Sequence, residues 1–164
     1  MRRTGHGFTL IELMLAVVLL ALLTGAAALS FARPIHNARA RQAIDTVERC
    51  DEMTREQARR FGKAATLGFD LHHQTIRRDS VPNVSLPSGF TIHEIRSAGH
   101  SIEAGEFSLD VSALGLSRSY ALHLVGPELD RWMLVAGLSG EVTWTTNETQ
   151  VEQFLGSATR DNAH

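Results

Sequence analysis

Cysteine is all but missing: Cys50 is the single one among 164 residues. No intramolecular disulfide can form, so core packing alone must hold the fold. Cys50 sits in a polar, helical stretch with no basic or metal-ligand cluster around it in sequence. It reads as a small, partly buried residue rather than a reactive thiol. His93, His100 and His123 are scattered, and with one cysteine no zinc-ligand spacing exists. His72 and His73 are adjacent, and in a strand they would point to opposite faces. A phosphate-cradling G-x-x-x-x-G-K segment is absent, which excludes a motor ATPase. Ser139 in G-L-S-G has Gly137 before it but Glu141 where a nucleophile elbow needs glycine, so it reads as a turn serine. These absences predict no enzyme, no metal and no cofactor. A charge excess is lacking too, at a formal net charge of -2. In the C-terminal tail Arg160 is the only basic side chain apart from His164, against Glu148, Glu152 and Asp161. Phosphate contacts need a basic cluster, so no nucleic acid partner is expected.

Charge is also missing from the N-terminal region. From Phe8 to Ala32 the only charged residue is Glu12, and Leu13 to Leu23 is apolar on every side. A helix of about 20 apolar residues spans a bilayer, and 8–32 is long enough for a single span. Glu12 does not suit a plain anchor, because a carboxylate in hydrocarbon costs at least roughly 2.5 kcal/mol and is usually paired. Its own segment holds no basic residue. A free amine at Phe8, created by removal of residues 1–7, would lie about one helical turn away. Between staggered chains the same amine and carboxylate could meet in a low-dielectric bundle and set the register of neighbours. The alternative is that Glu12 snorkels to the interface. A secretory signal peptide with Ala26 and Ala28 as its small-x-small site is a rival reading, but Glu12 interrupts its apolar core. A plain signal anchor is another. Arg2 and Arg3 precede the run while Arg33, Arg39 and Arg41 follow it, so charge counting does not orient the chain.

The stretch Gly7-Phe8-Thr9-Leu10-Ile11-Glu12, followed by the apolar run, resembles the type IV prepilin motif of pilins and of type II secretion pseudopilins. The resemblance implies cleavage by a prepilin peptidase between Gly7 and Phe8, methylation of the new amine on Phe8, and a subunit-alignment role for Glu12. It also places the leader in the cytoplasm and the globular part outside the inner membrane.

Past Pro34, which kinks or breaks a helix, the pattern stays helical. Ile44, Val47, Thr54, Ala58 and Phe61 share one stripe. Asp51 with Arg55, and Glu56 with Arg60, fall at i,i+4 on the expected wet face. Gly62 is placed to end the helix. One helix from Phe8 to Phe61, bent near Pro34, would be roughly 80 Å long. The remainder reads as strands. They are expected at Ala65–Leu71, Thr75–Arg78, from Phe90 with Ile95 out of phase, through Phe107, Leu109 and Val111, at Tyr120–Leu124, at Trp132–Ala136 in a central place, and at Val142–Trp144. Pro82 and Pro87 bracket an expected loop, Gly137–Gly140 an expected turn, and Arg77 with Arg78 an expected solvated pair. One helix followed only by strands predicts an α+β, pilin-like fold, the long helix packed on an antiparallel sheet.

A second resemblance covers residues 105–142. The F-S-x-D turn at Phe107–Asp110, the Gly115 loop and the G-L-S-G-E-V turn at Gly137–Val142 are similar to the GspH/FimT group of minor pseudopilins and minor pilins. Residues 70–104 match nothing. The organisation expected is a leader at 1–7, a transmembrane and filament-core helix at 8–32, an amphipathic helix at 33–62 and a β-rich globular domain at 63–164. The function implied is that of a minor pseudopilin, a structural subunit at or near the tip of a type II secretion pseudopilus that serves protein export. It would be anchored in the inner membrane with its globular domain in the periplasm. The partners implied are the other minor and major pseudopilins, the inner-membrane assembly platform and the prepilin peptidase. The alternatives are a minor type IV pilin, or an exported binding domain released by signal peptidase.

Overall fold

The computed structural model describes residues 9–79, 81–97 and 99–161, with the side chains at 25–36 and 159–161 outside that set. Helix α1 runs from Leu10 to Phe61 and passes through Pro34 without interruption. The chain forms two compact units, Met1–Ala38 and Arg39–His164. The boundary between them falls inside α1.

In the second unit α1 buries Ala43, Val47, Cys50, Asp51, Thr54, Arg55 and Ala58. The spacing of three and four residues puts all of them on one face. Phe61, expected on this stripe, is exposed. It lies at the last turn, where Gly62 adopts a φ of +61° and the Lys63 N–H donates to the Ala58 carbonyl at 3.2 Å. That is the helix-ending geometry expected of Gly62.

Among the described residues nine strands follow: β1 (Ala65–Asp70), β2 (Thr75–Arg78), β3 (Val81–Ser85), β4 (Thr91–Ser97), β5 (His100–Ile102), β6 (Glu106–Val111), β7 (Tyr120–Gly126), β8 (Leu129–Val135) and β9 (Val142–Thr145). Helix α2 (Glu148–Asp161) follows them. The strands form two sheets, in the orders β3-β2-β1-β6 and β5-β4-β7-β8-β9. Neighbours pair antiparallel throughout. The α+β, pilin-like class holds, but with two sheets in place of one. Phe69 and Phe107 of the first sheet and Tyr120 of the second join the core, with ring centroids 6.1–6.2 Å apart. Such tilted aromatic clusters add to plain area burial.

Several elements differ from the sequence expectation. Residues 81–85 form a strand rather than a loop. β3 lies at a sheet edge, and an edge strand tolerates the missing donor of Pro82. Phe107–Asp110 lies within β6 and is no turn. The register of β4 shifts between Ile92 and Glu94, which accounts for the phase change toward Ile95. β8 is interior, while β7 holds the central place. His72 and His73 occupy the β1–β2 turn, not a strand. There the Asp70 carboxylate accepts both their backbone N–H groups and contacts His73 Nδ1 at 2.8 Å.

Helix α2 replaces the expected polar tail. Asn147 caps it, its Oδ1 accepting the Thr149 N–H at 2.9 Å. Its apolar side, Val151, Phe154 and Leu155, packs on Ala121, Trp132 and Leu134, the outer face of the second sheet.

Candidate functional site

The first residues described lie at the start of α1. Thr9 precedes the helix, and its carbonyl accepts the N–H groups of Glu12 at 3.0 Å and Leu13 at 3.2 Å. Its Oγ1 also accepts from the Glu12 N–H at 3.4 Å. Thr-x-x-Glu is the spacing of a capping box, so Glu12 stands where an acid favours a helix start. Gly7 and Phe8 lie outside the described residues, and so does the amine expected to pair with Glu12. Every large apolar side chain from Leu10 to Leu23 is more than half exposed, with Leu10 at 80% and Leu19 at 51%. An uncovered apolar surface this long marks a site that another apolar phase covers. Among the described residues no helix is long and apolar enough to cross a membrane. The expected span at 8–32 includes side chains outside that set.

The second unit carries a buried polar bracket at Asp51 and Arg55. The sequence placed this pair on the wet face, but their side chains are 2% exposed. Arg55 Nε donates to Asp51 Oδ2 at 2.7 Å. Its Nη1 donates to the carbonyls of Gly115 and Gly137, each at 3.0 Å, and its Nη2 to Ser117 Oγ at 2.8 Å. Tyr120 donates its hydroxyl to Asp51 Oδ1 at 3.0 Å. Burial first, then the neighbouring Asp51 carboxylate, pushes the Tyr120 phenol well above its ordinary range. One arginine thus fastens α1 to two loops at once. Gly115 is needed there: its φ is +77°, and a Cβ would lie 2.9 Å from Arg59 Cγ. A Cβ on Gly137 would lie 2.1 Å from the Ser117 carbonyl oxygen. The glycines that carried the second resemblance are therefore the contact points of this bracket. Glu56 and Arg60 do lie exposed, as expected. Trp144 adds another tie, donating its Nε1–H to Glu48 Oε1 at 2.5 Å.

Arg77 and Arg78 are not a solvated pair. Arg77 is exposed and paired with Glu106 at 3.1 Å, while the Nε of Arg78 is buried. On the outer face of the second sheet, Arg96 bonds Glu94 and reaches Glu148 of α2 at 2.6 Å. Its guanidinium lies 4.6 Å from the Trp132 ring centroid. Burial of Glu94 raises its affinity for the proton, but hydrogen bonds from Arg96 and Ser101 outweigh it and hold the carboxyl below its ordinary value. His123 stacks on Trp132 at 4.4 Å and approaches His93 at 5.7 Å, so two histidines that looked scattered are neighbours. Among the described residues no group of His, Cys, Asp and Glu could hold a metal ion. Cys50 is buried, and burial raises its thiol pKa. Ser139 Oγ accepts the Glu141 N–H at 3.1 Å within its turn.

Residues 2–28 match the prokaryotic N-terminal methylation motif. No curated protein matches the chain. Among solved structures the chain is similar to the minor pseudopilin EpsH from the type 2 secretion system of Vibrio cholerae. The TM-score is 0.52 at 10% identity, over 67% of this chain and 97% of that one. At that identity the likeness concerns the fold. The chain thus carries a prokaryotic N-terminal methylation motif at residues 2–28 and shares its fold with the minor pseudopilin EpsH.

Proposed function

We propose that this chain is a structural subunit, a minor pseudopilin, of a type II secretion pseudopilus. The observation that carries the reading is the coupling of a prepilin-type motif at 2–28 to a fold shared with nearly all of a minor pseudopilin. In this reading a prepilin peptidase removes residues 1–7, and the new amine on Phe8 is methylated. The segment from Phe8 to Ala32 anchors the chain in the inner membrane, with the globular unit in the periplasm. The assembly platform then draws the segment into a bundle with the other minor subunits and the major one.

The chemistry required is modest. Moving an apolar helix from lipid into a helix bundle gains little from the hydrophobic effect, so close packing and polar pairing must decide the register. Glu12 is the one charged side chain available from Phe8 to Ala32. Paired with the Phe8 amine of a neighbour it would neutralise both groups, and only one stagger allows that.

Sequencing the mature protein tests the reading. A chain beginning at Phe8 supports assembly, and one beginning at Leu29 supports a released binding domain instead. Glu12→Ala should leave the leader processed while reducing incorporation at least about tenfold, as loss of one partner of a desolvated pair does. Normal incorporation of that variant would remove Glu12 from the mechanism.

A further inference from the structure

We propose that the flank of α1 beside the β2–β3 hairpin is where this chain binds a different subunit of its assembly, and that the partner sets a carboxylate, flanked by apolar side chains, against Arg78. The proposal rests on the assembly role above and adds its contact surface.

Arg78 is the reason. Along β2, Ile76 is fully buried and Arg77 turns outward to Glu106. Alternation returns Arg78 to the side of Ile76, toward α1. Its Nε is buried with no hydrogen-bond partner, and its Nη1 reaches only Met53 Sδ, at 3.4 Å. A thioether is a weak acceptor and brings no charge. Among the described residues no carboxylate forms an ion pair with Arg78. Asp79 Oδ2 accepts the Thr66 N–H at 2.7 Å. Asp51 serves Arg55 and Tyr120. The nearby Cys50 supplies no anion, because burial favours its neutral thiol. A guanidinium whose Nε is buried and unpaired is costly, and a carboxylate brought against the group would offset its charge.

The surroundings define the rest of the partner. Gln57, Phe61, Lys63 and Asp79, the last of which follows Arg78 in sequence, line an open groove of about 610 Å³. Met53, Gln57 and Phe61 are spaced four residues apart, on one face of α1. Met53 is 45% exposed, Phe61 65%, and Val81, opposite Arg78 on β3, 37%. These apolar side chains need apolar cover, which a small anion lacks. The groove's own charges, Lys63 and Asp79, offset each other, which among the described residues leaves Arg78 as the cation without an anion, so the fitting partner is acidic. A second copy meeting the same patch would place cation against cation, which argues for a different subunit.

The test uses the full-length chain in its own membrane with its sister subunits. Photoreactive benzoylphenylalanine is placed at Met53, at Phe61, or at the exposed Leu138 on the turn before β9. Adducts to another prepilin-type subunit are expected from 53 and 61 and not from 138. Arg78→Glu should reduce them at least about tenfold. Reversing the carboxylate found in the cross-linked partner peptide should restore them, which also shows that the Arg78→Glu chain folds. Adducts from 138 alone, adducts of the chain to itself, adducts at 61 indifferent to Arg78→Glu, or no rescue by charge reversal would each overturn the proposal. If sister subunits co-isolate but positions 53 and 61 give no adduct, this surface alone is wrong. If no sister subunit co-isolates, the assembly role fails and this surface with it.

Discussion

At the scale of single residues, Arg55 shows how a charged helix position becomes a core position. Its side chain satisfies a carboxylate, two loop carbonyls and a hydroxyl at once. Arg55→Ala would strand Asp51 in a buried site and should cost about 3–5 kcal/mol in denaturant unfolding. Removing the charge from both members, as in Asp51→Leu with Arg55→Met, should recover part of that loss, because no uncompensated charge then remains. A double variant no more stable than Arg55→Ala would show that the loop carbonyls matter more than the ion pair. Tyr120 carries a separate signature. Its phenol stays neutral in the folded chain above 10.0, the pH at which an unfolded tyrosine ionises. The unfolded state then holds fewer protons than the folded state, so stability falls as pH rises past that value. Tyr120→Phe should cost about 1–3 kcal/mol at neutral pH by leaving an Asp51 oxygen short of a donor, and should flatten this alkaline decline. Melts between neutral and alkaline pH would read both effects.

At the scale of elements, α2 depends on Arg96, which bonds Glu94 of its own strand and Glu148 of the helix. Glu94 ionises below its ordinary 4.5 in the folded chain. Its contribution is therefore complete above that pH and is lost as pH falls through the lower folded value. Arg96→Met should free α2 first, seen as faster amide exchange at 150–158 than in β7, and should weaken the acid dependence. Equal acceleration in both elements would mean that α2 and the sheet open together. Alternation of apolar and polar residues made β6 legible from sequence, since it has one buried face; β1 and β7 show the same alternation although Gly68 and Ala121 are buried on the other side. Helix α2 was missed although Asn147, Glu148 and the apolar spacing 151, 154, 155 form a readable helix start. Its apolar side is short and covers an outer sheet face, which linear patterning did not reveal. β3 was missed because prolines signal loops, and only the sheet order shows that Val81–Ser85 sits at an edge. The i,i+4 rule found the Asp51–Arg55 pair but assigned it to solvent. The rule gives spacing, whereas burial depends on loops 60 and 82 residues away.

At the scale of the whole molecule, the chain keeps its exposed apolar run and its folded core in different parts. The apolar side chains of Leu10–Leu23 are exposed, and among the described residues the buried core lies within Arg39–His164. This separation predicts two classes of variant. Changes in the first class, such as Glu12→Ala, remove a pairing group without touching any core contact. They should leave the melting midpoint of the globular unit close to wild type, because surface changes fall within about ±0.5 kcal/mol, or roughly 1–4 °C. Assembly should nevertheless fail. Changes in the second class, such as Gly137→Ala, force a Cβ into the Ser117 carbonyl and disturb the Arg55 bracket. They should lower the midpoint by several degrees, since about 1 kcal/mol corresponds to roughly 2–8 °C for domains of this size. The proposed leader removal between Gly7 and Phe8 should stay intact. Melting curves and N-terminal sequencing of the same two variants separate the classes. A Glu12→Ala chain that melts like Gly137→Ala would mean that the N-terminal segment contributes to the folded core.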